Sequence, residues 1–285
     1  MNITNECVKC ITGQIEKATK LLCLNEEISI TIMEEVKRRA KNFSYNETPP
    51  FVAKDVYEYL AKMAKLEDPL EKLKQESIKK ATTYLPFIEE KLEKSKDKLF
   101  TAIKAAVAGN VIDFATTKEF CLDNEINSIF ETDFAINDYN KFKEELEKTN
   151  RLIILSDNAG ENVFDKVLVK TIKKLYPTLE IYYATRGKPI INDITTKEAF
   201  QVGIDNYCKV ISTGVDTPGL EKKQASKEFL ELFESTQLIL SKGMGNFECL
   251  EATNDSKIFF LFKVKCEVVA NTISRNLGEI VLKRG

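Results

Sequence analysis

Asp157 and Asn158 are adjacent oxygen donors that follow a short apolar run, Leu152-Ile153-Ile154-Leu155, and one serine. On a continuing strand, neighbouring side chains point to opposite faces, so both reach one site only where the chain turns. Ala159-Gly160 makes such a turn easy. A carboxylate beside an amide oxygen at that point suits a hard cation. The alternative is an aspartate that merely caps the next helix. A second acidic turn ends Arg186-Gly187-Lys188-Pro189-Ile190-Ile191-Asn192-Asp193. Thr195 and Glu198 follow with capping-box spacing, so Asp193, like Asp157, lies just before a helix. A third stretch, Ser241-Lys242-Gly243-Met244-Gly245-Asn246-Phe247-Glu248, joins a cation to two glycines that allow close backbone approach to a ligand. It lacks the spacing of a Walker loop, and no GxGxxG follows a strand. Lys263-Val264-Lys265-Cys266 supplies further cations. Each lysine alone reads equally as a surface residue; their shared position after apolar runs singles them out.

The chain has no histidine. That excludes Ser-His-Asp triads, Cys-His pairs, phosphohistidine chemistry and every histidine metal site. Proton transfer must fall to carboxylates, lysine, tyrosine, thiols or bound water. A metal must take oxygen or thiolate ligands, and carboxylate plus amide oxygen points to Mg²⁺ or Mn²⁺. A net charge of −2 argues against nucleic-acid binding as the main task. No apolar run approaches the ~18 residues of a membrane span, and no signal peptide is expected at Met1. Seven cysteines form no small secreted framework, which predicts reduced thiols and a cytoplasmic protein. Cys7-Val8-Lys9-Cys10 is a lone CxxC without the second pair that a zinc site needs. It reads as structural or incidental, or as a metal or redox motif. Its distance in sequence from the acidic turns predicts that the chemistry does without it.

The elements that must position these residues fall into two regions. Residues 1–150 read as a mostly helical N-terminal region. Apolar residues recur at three- and four-residue spacing over Glu6–Leu22, Asn25–Asn42, Val52–Lys65, Glu71–Tyr84 and Phe87–Ala108. Pro49-Pro50, Asp68-Pro69 and Pro86 punctuate them. Gly109-Asn110-Val111-Ile112-Asp113-Phe114 closes the last of these helices; Asn110 and Asp113 are either caps or pocket-lining groups. Residues 151–285 read as an α/β core carrying the metal site. Candidate strands are Leu152–Leu155, Glu180–Ala184, Lys209–Thr213, Gln237–Leu240, Ile258–Phe262 and Ile280–Leu282, mostly separated by helical patterns. This alternation predicts a Rossmann-like, mostly parallel sheet whose ligand site lies at the carboxyl ends of its strands.

Ser156-Asp157-Asn158-Ala159-Gly160-Glu161, with Phe164-Asp165 behind it, resembles the signature of the metal-dependent damage-control phosphatases. The Gly109–Phe114 stretch resembles that family's upstream motif, and Arg186–Thr195 its second acidic motif. Lys242–Glu248 and Lys263–Cys266 are similar to its late motifs, and the CxxC is similar to that of a stand-alone microbial branch. The likeness runs in order over nearly the whole chain. It implies a helical N-terminal part on an α/β core and one divalent ion (Mn²⁺, Ni²⁺, Co²⁺ or Mg²⁺) held by Asp157, Asn158 and Asp193. It also implies hydrolysis of phosphate monoesters on small, damaged or unwanted metabolites, such as nucleotides or sugar phosphates. Such chemistry needs neutralised phosphoryl oxygens and a placed nucleophile. Lys242, with Arg186 and Lys265, is then expected at the phosphate, and Asn110 and Asp113 at the rest of the substrate. Asp157 is expected to be catalytic as a ligand or as an attacking carboxylate. Two rival readings are an S-adenosylmethionine-dependent carboxyl methyltransferase and a non-catalytic metabolite-binding protein. Neither nucleic acid nor membrane is an expected partner, and the sequence assigns no oligomeric state.

Overall fold

The structure, a computed structural model, describes residues 1–111 and 126–285. Six helices come first: α1 (Asn5–Leu21), α2 (Glu26–Ala40), α3 (Pro49–Ala64), α4 (Glu71–Thr83), α5 (Leu85–Lys94) and α6 (Lys98–Val111). Oxygen-bearing side chains set several of their starts. Thr4, Asn25 and Thr48 accept from the first-turn amides of α1, α2 and α3, and α3 opens on two prolines. The sequence pattern suggests one helix over Phe87–Ala108, whereas the chain breaks at Ser95–Asp97. Asp97 Oδ1 accepts from Phe100 N at 3.0 Å and thereby starts α6 afresh. Helical spacing continues across the break, so periodicity alone does not reveal it.

A short strand β1 (Ile136–Asn137) and helix α7 (Tyr139–Lys148) lead into β2 (Arg151–Leu155), α8 (Glu161–Leu175), β3 (Glu180–Thr185), α9 (Thr196–Gln201) and β4 (Lys209–Ser212). Then come α10 (Lys227–Ser235), β5 (Leu238–Lys242), α11 (Gly243–Leu250), β6 (Ile258–Lys263), α12 (Glu267–Ile273) and β7 (Ile280–Arg284). The seven described strands form one sheet in the order β1-β7-β6-β5-β2-β3-β4. All pairings are parallel except β6 with β7. The mixed α/β fold with a mostly parallel sheet and N-terminal helices is the one expected. The sheet nevertheless begins earlier than its first expected strand, because Ile136 and Asn137 already pair with Val281 and Leu282. Two residues are too few to leave a period in the sequence.

The continuous apolar run of β2 has a direct cause. Leu152, Ile153, Ile154 and Leu155 are all fully buried, and their sides alternate. Leu152 and Ile154 join the core under α4–α8, while Ile153 and Leu155 join the core under α10–α12. A strand covered on both faces has no polar side to offer. Helices α1–α3 form a third core around Ile15, Ile32, Val36, Val56 and Leu60. That core also takes in Ile190 from the loop after β3, so the helical cap is fastened to the sheet beside an acidic turn. From β2 the chain builds outward through β3 to β4, then returns to place β5 on the other side of β2. The switch point of this doubly wound sheet therefore lies between β2 and β5, where ligands of open α/β sheets bind.

Candidate functional site

Asp157 leaves the end of β2 and Lys242 ends β5, one on each side of the switch point. The next helix, α8, has Gly160 at its N-cap and no capping side chain, so Asp157 does not serve as a helix cap. Its carboxylate instead lies against Gly243. A Cβ built on Gly243 would stand 2.0 Å from Asp157 Oδ2, and Gly243 has a φ of +79°. Only glycine fits both the space and the backbone conformation. The other glycine of this stretch, Gly245, meets the carbonyl of Pro218 instead. Both glycines thus serve close packing of the protein on itself, where the sequence suggested approach to a ligand.

The second acidic turn reaches the first through the main chain. Ile194 N donates to Asp157 O at 3.0 Å, and Ala159 N donates to Asn192 O at 2.8 Å. Asn158 and Asp193 form an isolated antiparallel bridge. The loops after β2 and β3 are zipped together, which places Asp157, Asn158 and Asp193 on one cavity wall. Ile191, two residues before Asp193, has a φ of +47°, a strained conformation for a β-branched side chain. Its packing and that of Ile190 against the α1–α3 core hold it there.

Electrostatics mark the site. Burial pushes the Asp157 carboxyl well above the usual carboxylate range; the charges of Glu161 and Asp193 add to this, and those of Arg186 and Lys265 oppose it. Burial likewise raises Asp193, against the pull of Arg186. Asn158 Nδ2 donates to Asp157 Oδ2 at 3.0 Å and to Glu161 Oε1 at 2.9 Å, so its oxygen is the end turned to other uses. Crowded buried carboxylates with an amide oxygen beside them form a hard, oxygen-only donor set. This fits a divalent cation, whose charge reverses the repulsion. Among the described residues no three His, Cys, Asp or Glu side chains form a metal-holding group by themselves; the set is two carboxylates and one amide.

The expected phosphate-binding cations separate into two kinds. Lys265 is exposed and lines the cavity. Arg186 is buried: Nε donates to Asp193 Oδ2 at 2.6 Å and Nη1 to Asn246 Oδ1 at 3.0 Å, and Nη2 has no partner among the described residues. Lys242, expected at the phosphate, is fully buried and ion-paired to Asp165 at 2.7 Å and Glu161 at 3.2 Å. Burial lowers the pKa of its ammonium, but the charges of Asp165 and Glu161 outweigh that and raise it. Tyr183 Oη donates to the other Asp165 oxygen at 2.7 Å. Lys242 is the last residue of β5, yet its ammonium lies against α8 because two buried carboxylates there need a cation. Asn110 lies in the last turn of α6, where the Cβ position of Gly109 comes within 2.8 Å of Glu161 Cα. Asp113 lies outside the described residues.

The sequence reading missed three groups. Asn246 is fully buried and ties four segments together. It accepts from Arg186 Nη1 and Leu220 N, and donates to Ser156 O at 3.0 Å and Lys242 O at 2.7 Å. Glu161 and Asp165 sit on the inward face of α8, and their spacing of one helical turn behind Asp157 was the available signal. No such signal exists for α1, which lies across the cavity so that Cys7 and Cys10 line it with Asp157 and Asp193. Distance in sequence was therefore no guide to distance from the site.

The family described as "Damage-control phosphatase ARMT1-like domain" matches residues 3–281. The chain belongs to the ARMT1-like damage-control phosphatase family. It is 32% identical to "Damage-control phosphatase PH1575" of Pyrococcus horikoshii, over 100% of this chain and 98% of that one. It is 30% identical to a "Damage-control phosphatase" of Archaeoglobus fulgidus, over 99% of each chain. A crystal structure of the Pyrococcus horikoshii protein, titled a DUF89 family protein, superposes with a TM-score of 0.92 at 30% identity, covering 100% of this chain and 99% of that one. Among the described residues no helix is long and apolar enough to cross a membrane.

Proposed function

We propose that this family member is a metal-dependent phosphatase that hydrolyses phosphate monoesters of small metabolites, damaged ones among them. The observation that carries this reading is the switch-point cavity of about 360 Å³, with Asp157, Asn158 and Asp193 on one wall and Lys265 on another. Its volume suits a single small metabolite. Asp157, Asn158 and Asp193 would hold one Mn²⁺, Ni²⁺, Co²⁺ or Mg²⁺. Such an ion, when bound, neutralises phosphoryl charge and lowers the pKa of water.

The chain's own residues divide the remaining work. Lys265 draws the phosphate dianion to the cavity and offsets part of its charge. Arg186 fixes Asp193 and keeps its oxygens aimed at the cavity, with Asn246 bracing the guanidinium. Glu161 takes one N–H of Asn158 and so orients the amide oxygen. Lys242, with Asp165 and Tyr183, keeps Glu161 in place. Asp157 would either hold the ion or itself attack phosphorus, expelling the alcohol and leaving an acyl phosphate for water to hydrolyse.

The test combines phosphate release from a panel of phosphometabolites with calorimetric Mn²⁺ titration of wild type, Asp157→Asn, Asp193→Asn and the double variant. Turnover should vanish with a chelator and return with Mn²⁺. Because both carboxylates serve one ion, the double variant should lose little more than either single one. Turnover untouched by exhaustive chelation, or cleanly additive losses, would sink the shared site.

A further inference from the structure

Glu248, near the end of α11, lines the same cavity but belongs to a different part of its wall. Its charge bears on the thiols of Cys10 and Cys266, whereas the carboxylates that bear on Asp157 are Glu161 and Asp193. The surroundings are α1, the Pro49-Pro50 start of α3 and the Cys266 N-cap of α12. They supply thiols, prolines and aliphatic groups together with Glu6, Gln14 and Glu267. Burial raises the Glu248 carboxyl to about 7, with the chain's amino terminus pulling it back. That ammonium, on Met1, donates to the Glu248 main-chain carbonyl and pairs with Glu251 at 3.9 Å. The Glu248 side chain itself has no hydrogen bond or ion pair among the described residues. Glu248 is partly exposed, and it lines the cavity; a carboxyl that faces a cavity without a protein donor is open to a donor from a ligand.

The charge inventory says which ligand. Among the described residues lining the cavity, five carboxylates (Glu6, Asp157, Asp193, Glu248 and Glu267) stand against one cation, Lys265. Once a phosphate takes up Lys265, nothing in the rest of the lining compensates a second anion. Gln14, Cys10 and Glu248 offer hydrogen-bonding partners to neutral or cationic groups.

Resting on the phosphatase reading, we propose that Glu248 is the specificity-determining residue for the leaving group. It accepts a hydrogen bond from a hydroxyl or ammonium on the organic part of the ester. The site thus takes monoesters of polyols or amino alcohols and turns away esters that carry a second anionic group.

The experiment uses the full chain with Mn²⁺ and four probes: p-nitrophenyl phosphate, glycerol phosphate, phosphoethanolamine and phosphoglycolate. Wild type should favour glycerol phosphate and phosphoethanolamine over phosphoglycolate by about ten-fold or more in kcat/KM, the scale of one charge-assisted hydrogen bond. Glu248→Gln should erase most of that preference through KM, and Glu248→Lys should turn it toward phosphoglycolate. An unchanged ratio in either folded variant, or a wild type that prefers phosphoglycolate, overturns the assignment. Phosphate release from none of the four would count against the phosphatase reading alone. The same esters, titrated calorimetrically into Mn²⁺-loaded wild type and Glu248→Gln, then decide the matter: weaker phosphoethanolamine binding by the variant supports the role of Glu248, and equal affinities overturn it.

Discussion

The acidic turn tolerates almost no change where Gly243 touches Asp157. Gly243→Ala would drive a methyl group to within 2.0 Å of Oδ2 and force an alanine to a φ of +79°. We expect the variant to keep its secondary structure, to lose ten-fold or more in Mn²⁺ affinity by calorimetry and to melt lower. Glu248 gives a second residue-scale expectation. Its carboxyl is raised from 4.5 to about 7 in the folded chain, chiefly by burial. Between those values the unfolded chain has released the proton while the folded chain retains it, so stability falls as pH rises through this window and levels off above it. Glu248→Gln removes that loss. Its melting temperature should gain on wild type from pH 5 to pH 8, and parallel melting curves across that range would contradict the burial argument.

At the scale of elements, strand β5 and helix α8 are joined through Lys242, Glu161 and Asp165. The position of Lys242 after an apolar strand suggests a phosphate ligand whose removal spares the fold. Its burial against two carboxylates reverses that expectation. Lys242→Met strands two buried acids without their cation, which typically costs about 3–5 kcal/mol. Denaturant unfolding should show a loss of that size, and adding Asp165→Asn should restore part of it. An unchanged midpoint would mean that the ion pair does not hold β5 to α8.

The whole molecule decides what the thiols are for. Cap helices α1–α3 are fastened across the cavity by Lys54–Asp216 at 2.7 Å, by Thr48 to Glu221, and by Ile190 in the cap core. Cys10 opens onto the cavity, and partial desolvation by the surrounding wall, together with the charges of Glu248 and Cys7, raises its thiol. The thiol is thus sluggish, and no step of the proposed chemistry calls on it. Cys10→Ser should keep its turnover. A bulky maleimide on wild-type Cys10 should block it by filling the cavity, and Cys10→Ser should resist the reagent. Loss of turnover in a well-folded Cys10→Ser would move the thiol into the chemistry.

The apolar run at Leu152–Leu155, the acidic turns at Asp157 and Asp193 and the capping box at Thr195 are local patterns, so a strand, two turns and a helix start were legible in the sequence alone. The absence of histidine bounded the chemistry in the same way, since composition does not depend on folding. The pairing of Asp157 with Asp193 followed from the rule that strand ends of a parallel sheet share one side. Tertiary structure decided the rest. Lys242 ends one apolar strand and Lys265 follows another, and a flexible stem lets an ammonium go wherever carboxylates lie; α8 captured one and left the other in the cavity. Cys7, Cys10 and Glu248 reached the site only because the cap folds back over the strand ends. That contact is made by side-chain packing between distant segments, and neither the periodicity nor the spacing of the chain encodes it.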